Sequence, residues 1–138
     1  MKIAICGNMN FAKEMMSIES RLKEFGHACH LPEDVGEYSN NKIDKIGGSE
    51  GAKRKIENDL IRKHYNLIDR SDAILVLNYN KNGIDNYIGG NSFLEMGYAY
   101  ILNKKIYLIN NIPKIELIKQ EIEAMQPIIL NGDLSKII

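Results

Sequence analysis

The sequence predicts an α/β domain built on a parallel sheet, and three observations carry that prediction. Short apolar runs alternate with stretches of helical period along all 138 residues. The junctions between them are polar and rich in glycine. The run Ala73-Ile74-Leu75-Val76-Leu77 is apolar on both faces, as the central strand of a parallel sheet must be.

Each element follows from local pattern. Ile3-Ala4-Ile5-Cys6, ended by Gly7, reads as a buried first strand. Phe11, Met15, Ile18, Leu22 and Phe25 recur at helical spacing and form one face of a helix, with Gly26 where a C-cap is expected. His27 to Leu31 is a weaker second strand stopped by Pro32. From Pro32 to Gly51 the chain is polar and lacks periodicity, and such long connections are usually lids or binding loops. A mobile loop beside the site is expected there. A helix from about Ala52 to Arg70 would bury Ile56, Leu60, His64, Leu67 and Ile68. The central strand follows, opened by Asp72, whose place at that end suggests a structural role. A second polar loop runs from Asn78 to Gly90. Phe93 to Leu102 is apolar nearly all round and should be a well-buried helix. Ile106 to Ile109 is the fourth strand, Ile115 to Met125 a helix, Pro127 to Leu130 a short fifth strand and Leu134 to Ile138 a final turn.

The order β-α-β-α-β-α-β-α-β in one domain spanning residues 1–138 predicts a three-layer, flavodoxin-like arrangement. Its five-stranded parallel sheet should run in the order 2-1-3-4-5. Ligands in such folds bind beyond the carboxyl ends of the strands, near the reversal of strand order. The loops that meet there are the polar ones: Gly7 to Phe11, Pro32 to Gly51 and Asn78 to Gly90.

Composition narrows the function classes. Net charge is zero, without the basic stripe of a nucleic-acid binder. No apolar run is long enough to cross a bilayer, and the N-terminus has no signal-peptide pattern. Cys6 and Cys29 lack zinc spacing and read as small buried hydrophobes of a reduced, cytoplasmic protein. Neither a metal nor another cofactor is implied.

Two glycine-bearing turns could meet a ligand. Gly7-Asn8-Met9-Asn10-Phe11 follows a strand and opens a helix, so its N–H groups suit a phosphate or carboxylate. It reads equally as a tight turn with Asn10 as N-cap. Gly89-Gly90-Asn91-Ser92 is a similar turn, and Glu95 lies soon after it among apolar neighbours. A carboxylate in that setting is a candidate nucleophile or acid/base. Ser92-x-x-Glu95 is also a capping box, the reading that pattern alone favours. Gly97 costs about 1 kcal/mol against alanine within a helix, which suggests close approach of a neighbour or ligand. A lone inward histidine such as His64 is ordinarily a hydrogen-bonded core residue. Tyr79 and Tyr87 could stack on a base or simply be exposed.

Three segments together resemble the nucleoside 2-deoxyribosyltransferase superfamily, which includes the 2′-deoxynucleoside 5′-phosphate N-hydrolases. They are Ile3-Ala4-Ile5-Cys6-Gly7-Asn8-Met9, Ser71 to Leu77, and above all Phe93-Leu94-Glu95-Met96-Gly97-Tyr98-Ala99 followed by Lys104-Lys105-Ile106. The resemblance covers most of the chain and is sharpest at Glu95 to Ala99. It implies the flavodoxin-like fold and makes Glu95 the nucleophile that attacks C1′ of the sugar, expels the base and forms a glycosyl-enzyme. Gly7, Asn8, Met9, Asn10 and Phe11 would border sugar and base, with Gly89, Gly90, Asn91, Ser92 and Tyr98 also in the substrate site. A helix N-terminus would hold Glu95 ionised. In the nucleotide hydrolases a serine six residues before the glutamate contacts phosphate. Gly89 stands at that offset here, with Ser92 nearer. Where those hydrolases carry a catalytic aspartate, this chain has His64, and Asp59 would replace it only in a shifted alignment. A histidine there protonates or positions the leaving base, or else marks a nucleotide-binding module without turnover. The implied partner is a nucleoside or nucleotide, and the implied assembly a homodimer or higher homo-oligomer, with the apolar helix from Phe93 to Leu102 as its interface.

Overall fold

The computed structural model of the chain describes residues 1–33, 35, 36 and 48–138. Five parallel strands form one sheet: β1 (Lys2–Cys6), β2 (Ala28–His30), β3 (Ala73–Val76), β4 (Lys105–Leu108) and β5 (Ile128–Ile129), in the order β2-β1-β3-β4-β5. The helices are α1 (Ala12–Glu24), α2 (Gly48–Glu57), α3 (Leu60–Asp69), α4 (Gly90–Ile101) and α5 (Glu116–Met125). Short 3₁₀ turns precede α1 (Met9–Phe11) and close the chain (Leu134–Lys136). This is the flavodoxin-like architecture expected from the element order.

The pleat divides the core in two, because successive strand residues point to opposite faces. Ile3, Ile5, Leu75 and Tyr107 pack with Met15, Ile18 and Leu22 of α1 and with Leu134 and Ile137. Ala4, Cys6, Ile74, Val76 and Leu108 face the other way, against Ile68 of α3, Met96 and Ala99 of α4 and Ile122 of α5. This alternation sends Cys6 to the layer that also holds His64 and Glu95.

Several local features are as the sequence suggests. Gly26 adopts φ 86° just after α1. Its N–H donates to Lys23 O, and His27 N–H donates to Leu22 O, which together close the helix in a Schellman motif. Asp72 accepts a 2.7 Å hydrogen bond from the Lys2 backbone N–H, tying β1 to the start of β3 at the end away from the long loops.

Other features differ. The helix expected from Ala52 to Arg70 starts earlier, at Gly48, and breaks at Asn58 and Asp59. Asp59 takes left-handed φ 50°, a conformation Asp tolerates better than most residues. Asn58 Nδ2 donates to Arg54 O, and Asp59 Oδ1 accepts from Arg62. The break turns Ile56 away from the core, where it is 79% exposed, while His64 and Ile68 stay buried. The expected mobile loop from Pro32 to Gly51 lies mostly outside the described residues, and its end is already helical.

The loop from Asn78 to Gly90 contains a miniature hairpin. Lys81 and Ile84 exchange both backbone hydrogen bonds across Asn82 and Gly83, which both have positive φ. That Asn-Gly pair is the usual signal for a type I′ turn, and the sequence reading passed over it. The helix expected from Phe93 begins at Gly90, and it is not buried all round. Leu94 (56%) and Ile101 (79%) are exposed on its outer side. No other described residue approaches Gly97 closely, because a Cβ there would meet nothing within 4 Å. Among the described residues no helix is long and apolar enough to cross a membrane.

Candidate active site

A cavity of about 760 Å³ opens at the carboxyl ends of the strands, within the size range of small-molecule sites. The loops that sequence reasoning gathers at this edge supply much of its wall. Gly7, Asn8, Met9 and Asn10 line it after β1, and Gly89, Gly90, Asn91, Ser92 and Glu95 at the start of α4. His64 lines it from α3 and Tyr87 from the hairpin loop. Phe11 and Tyr98 are not on its wall. Phe11 meets the edge of Tyr79, and Tyr98 stacks on Tyr65 with ring centroids 4.7 Å apart. Asp59 is also off the wall and pairs with Arg62, so His64 holds the position at the cavity.

The turn after β1 is shaped by Gly7. Its φ of 154° lies outside the range most side chains adopt, and a Cβ there would press within 3.4 Å of Met15 Cε and Leu77 O. Asn8, not Asn10, is the cap that follows: its Oδ1 accepts the Asn10 N–H at 2.9 Å.

The start of α4 decides the character of Glu95. Gly89 is the N-cap residue, so Ser92 lies inside the helix and cannot open a capping box with Glu95. Glu95 consequently sits in the second turn, away from the free N–H groups of the helix start. The place at the helix N-terminus expected for Glu95 is therefore not the one it takes. Helical side chains lean towards the N-terminus. Accordingly, Glu95 Oε1 reaches back one turn and accepts a 2.9 Å hydrogen bond from Asn91 Nδ2.

Glu95 Oε2 is the less satisfied atom. It is buried and, among the described residues, accepts no well-formed hydrogen bond, although His64 Nε2 stands 3.4 Å away. The same Nε2 lies 3.5 Å from Cys6 Sγ. Cys6, His64 and Glu95 therefore converge from β1, α3 and α4, all three buried. The His64–Glu95 contact becomes an ion pair when the ring is protonated. His64 Nδ1 is likewise buried without a hydrogen-bond partner among the described residues. Burial pushes the Cys6 thiol well above its ordinary range, and the neighbouring Glu95 charge pushes it the same way. Tyr65, stacked beside this cluster, is raised for the same two reasons.

Sequence reasoning missed the place of Cys6. The signal lay in strand alternation: Cys6 shares the face of Ala4 and ends β1, at the edge where ligands bind. It also missed the charge of the wall. Arg54, Lys55, Lys63, Arg70 and Lys81 line the cavity against the acidic Glu33 and Glu95. Of these cations, Lys63 pairs with Glu33 and Lys81 lies over the Tyr87 ring.

No protein-family model and no curated protein matches the chain in sequence. Several solved structures share its fold, among them three enzymes. One is a 2-deoxyribosyltransferase from the psychrotolerant bacterium Bacillus psychrosaccharolyticus, with TM-score 0.53 and 19% identity over 79% of this chain and 72% of that one. Another is a 2-deoxyribosyltransferase from Leishmania mexicana, with TM-score 0.53 and 17% identity over 78% of this chain. The match spans 63% of the length of that Leishmania protein. The third is a CMP N-glycosidase from Clostridium botulinum, with TM-score 0.51 and 13% identity over 94% of this chain and 84% of that one. At these identities the likeness is one of fold.

Proposed function

We propose that the chain cleaves or transfers the N-glycosidic bond of a nucleoside or nucleoside 5′-monophosphate, with Glu95 as nucleophile. The observation that carries this reading is a buried carboxylate on the wall of a ligand-sized cavity, anchored through one oxygen by Asn91 and facing His64 with the other, which accepts no well-formed hydrogen bond among the described residues. Buried polar atoms of structural groups are in the great majority hydrogen-bonded, so the open Oε2 favours a functional role. The shared fold with 2-deoxyribosyltransferases and a CMP N-glycosidase supports the same chemistry.

In the proposed reaction a Glu95 oxygen forms a bond to C1′ as the C1′–N bond breaks. The bonding pair leaves with the base nitrogen, which takes a proton from His64. Water, or the nitrogen of a second base, then attacks C1′ and gives its proton to His64, restoring that ring, while the glycosyl–Glu95 bond breaks to restore the carboxylate. His64 is suited to the proton step because its Nε2 already stands within 3.4 Å of Glu95 Oε2. Gly7 to Asn10 and Gly89 to Ser92 form the walls beside sugar and base, and Tyr87 offers a ring for the base. The cationic wall favours nucleotides over nucleosides, since a 5′-phosphate brings negative charge to Arg54, Lys55, Lys63, Arg70 and Lys81.

The test is release of free base from a panel of nucleosides and nucleoside 5′-monophosphates, ribo and deoxy, by the wild type, Glu95→Gln and Glu95→Ala. Release by the wild type alone is expected. No release from any substrate defeats the enzymatic reading, and full activity in the variants defeats the assignment of Glu95. Tight nucleotide binding without release, measured by thermal shift, would instead support a binding module. We also propose that the exposed edge of α4, with Leu94 and Ile101, is buried between copies of the chain. Light scattering on Ile101→Glu should then report a smaller species than the wild type.

A further inference from the structure

We propose that Cys6, His64 and Glu95 form a three-ligand site for a divalent ion of the zinc class, and that its occupation silences Glu95. The binding is independent of the proposed reaction; only the silencing rests on it.

The donor set and its geometry carry the proposal. A thiol sulfur, an imidazole nitrogen and a carboxylate oxygen lie within 4.8 Å of one another, each contributed by a different element. Tetrahedral zinc, with bonds of about 2.0–2.1 Å to nitrogen or oxygen and about 2.3 Å to sulfur, places neighbouring ligand atoms about 3.4 Å (N to O) and about 3.6 Å (N to S) apart. The corresponding separations here are 3.4 Å from His64 Nε2 to Glu95 Oε2 and 3.5 Å from His64 Nε2 to Cys6 Sγ. The Cys6–His64 contact is a sulfur hydrogen bond and the His64–Glu95 contact is long for one, so the three groups already face one another while Glu95 Oε2 lacks a well-formed hydrogen bond. A thiolate with an imidazole selects against magnesium and calcium, which take oxygen ligands, and suits zinc. Three protein ligands leave a fourth position, which the cavity lined by His64 and Glu95 can fill with water.

Binding balances simply. The Cys6 thiol loses its proton to solvent as the sulfur–metal bond forms, and Glu95 Oε2 donates a lone pair to the ion. That lone pair is then no longer free to attack C1′.

The experiment is titration of the chelator-treated full chain with Zn²⁺ by calorimetry and with Co²⁺ by absorption spectroscopy. One equivalent should bind, with a thiolate-to-cobalt charge-transfer band and the visible bands of tetrahedral cobalt. Cys29→Ser should keep that band and Cys6→Ser should lose it, with zinc affinity falling at least about tenfold. If the wild type shows no thiolate band, or if Cys29→Ser removes it, the site is not the one proposed. The wild-type spectrum decides this even where a Cys6 variant fails to fold. If base release is observed, Zn²⁺ should abolish it and a chelator restore it. Stoichiometric thiolate binding without such inhibition would overturn the silencing and leave the ligand assignment standing. Binding with no base release from any substrate would sink the proposed function and not the metal site.

Discussion

Two buried polar groups lie at the carboxyl edge of the sheet, and they differ in how far they are satisfied. Asn78, fully buried at the end of β3, spends its whole side chain on the backbone beyond β4. Its Nδ2 donates to Asn110 O and Asn111 O, and its Oδ1 accepts the Asn110 N–H. Glu95, 3% exposed on α4, is hydrogen-bonded at one oxygen and, at the other, faces His64 Nε2 at 3.4 Å without a well-formed hydrogen bond among the described residues. Nearly equal burial thus accompanies opposite bonding. A satisfied buried group holds strands together, whereas a charged and half-satisfied one is costly to fold and marks a place where chemistry is expected.

Substitutions should separate the two regions. The largest effect belongs to Glu95→Gln, which should lower base release at least about a thousandfold, as loss of a nucleophile does. Its stability should stay within about 1 kcal/mol of the wild type, since the isosteric amide can still accept the Asn91 hydrogen bond. Equal loss of stability and activity would mean that Glu95 is structural. His64→Asn should lower base release by about a hundredfold, the usual scale for a positioned proton donor, and flatten the basic limb of the pH–rate profile, where a proton donor is lost. An unchanged profile would leave His64 a structural neighbour of Glu95.

Asn78→Ala should show the reverse pattern. It removes three part-buried hydrogen bonds to the Asn110 and Asn111 backbone and leaves a cavity at a fully buried position, and should cost about 2–3 kcal/mol in urea unfolding. A smaller effect would mean that these groups find other partners. Asn91→Ala, which frees Glu95 Oε1, should cost about tenfold in rate, corresponding to one charge-assisted hydrogen bond. The smallest effect concerns the thiols. Burial first, and then Glu19, push Cys29 from 9.0 to about 11, so the folded state keeps its proton where the unfolded state loses it. Stability should therefore fall as pH rises from about 9 towards 11. Cys6, more deeply buried, should react with a thiol reagent more slowly than Cys29.

How much of this was legible follows from which physics sets each feature. Strand order was legible because alternation of apolar runs and helical periods fixes a parallel sheet, and Ala73 to Leu77 could only be central. The edge holding the site was legible for the same reason. The break at Asn58 and Asp59 was not, because Ile56 and Leu60 continue a helical period across it. The period carries no sign of one residue turning left-handed. The true start of α4 was obscured by Ser92-x-x-Glu95, a genuine capping pattern that the Gly89 cap displaces by a turn. Convergence of Cys6 with His64 and Glu95 depends on three elements distant in sequence, which no local pattern encodes. Asn82-Gly83, by contrast, was a local signal for the hairpin that went unread.

The most direct test of the central claim is intact-mass and peptide mapping of the chain after rapid acid quench with a slowly released 2′-fluoro-substituted nucleoside 5′-monophosphate. The prediction is a glycosyl adduct on the peptide carrying Glu95, present in the wild type and absent from Glu95→Gln. Base release with the adduct on another residue, or an adduct that persists in Glu95→Gln, would contradict the assignment of Glu95 as nucleophile.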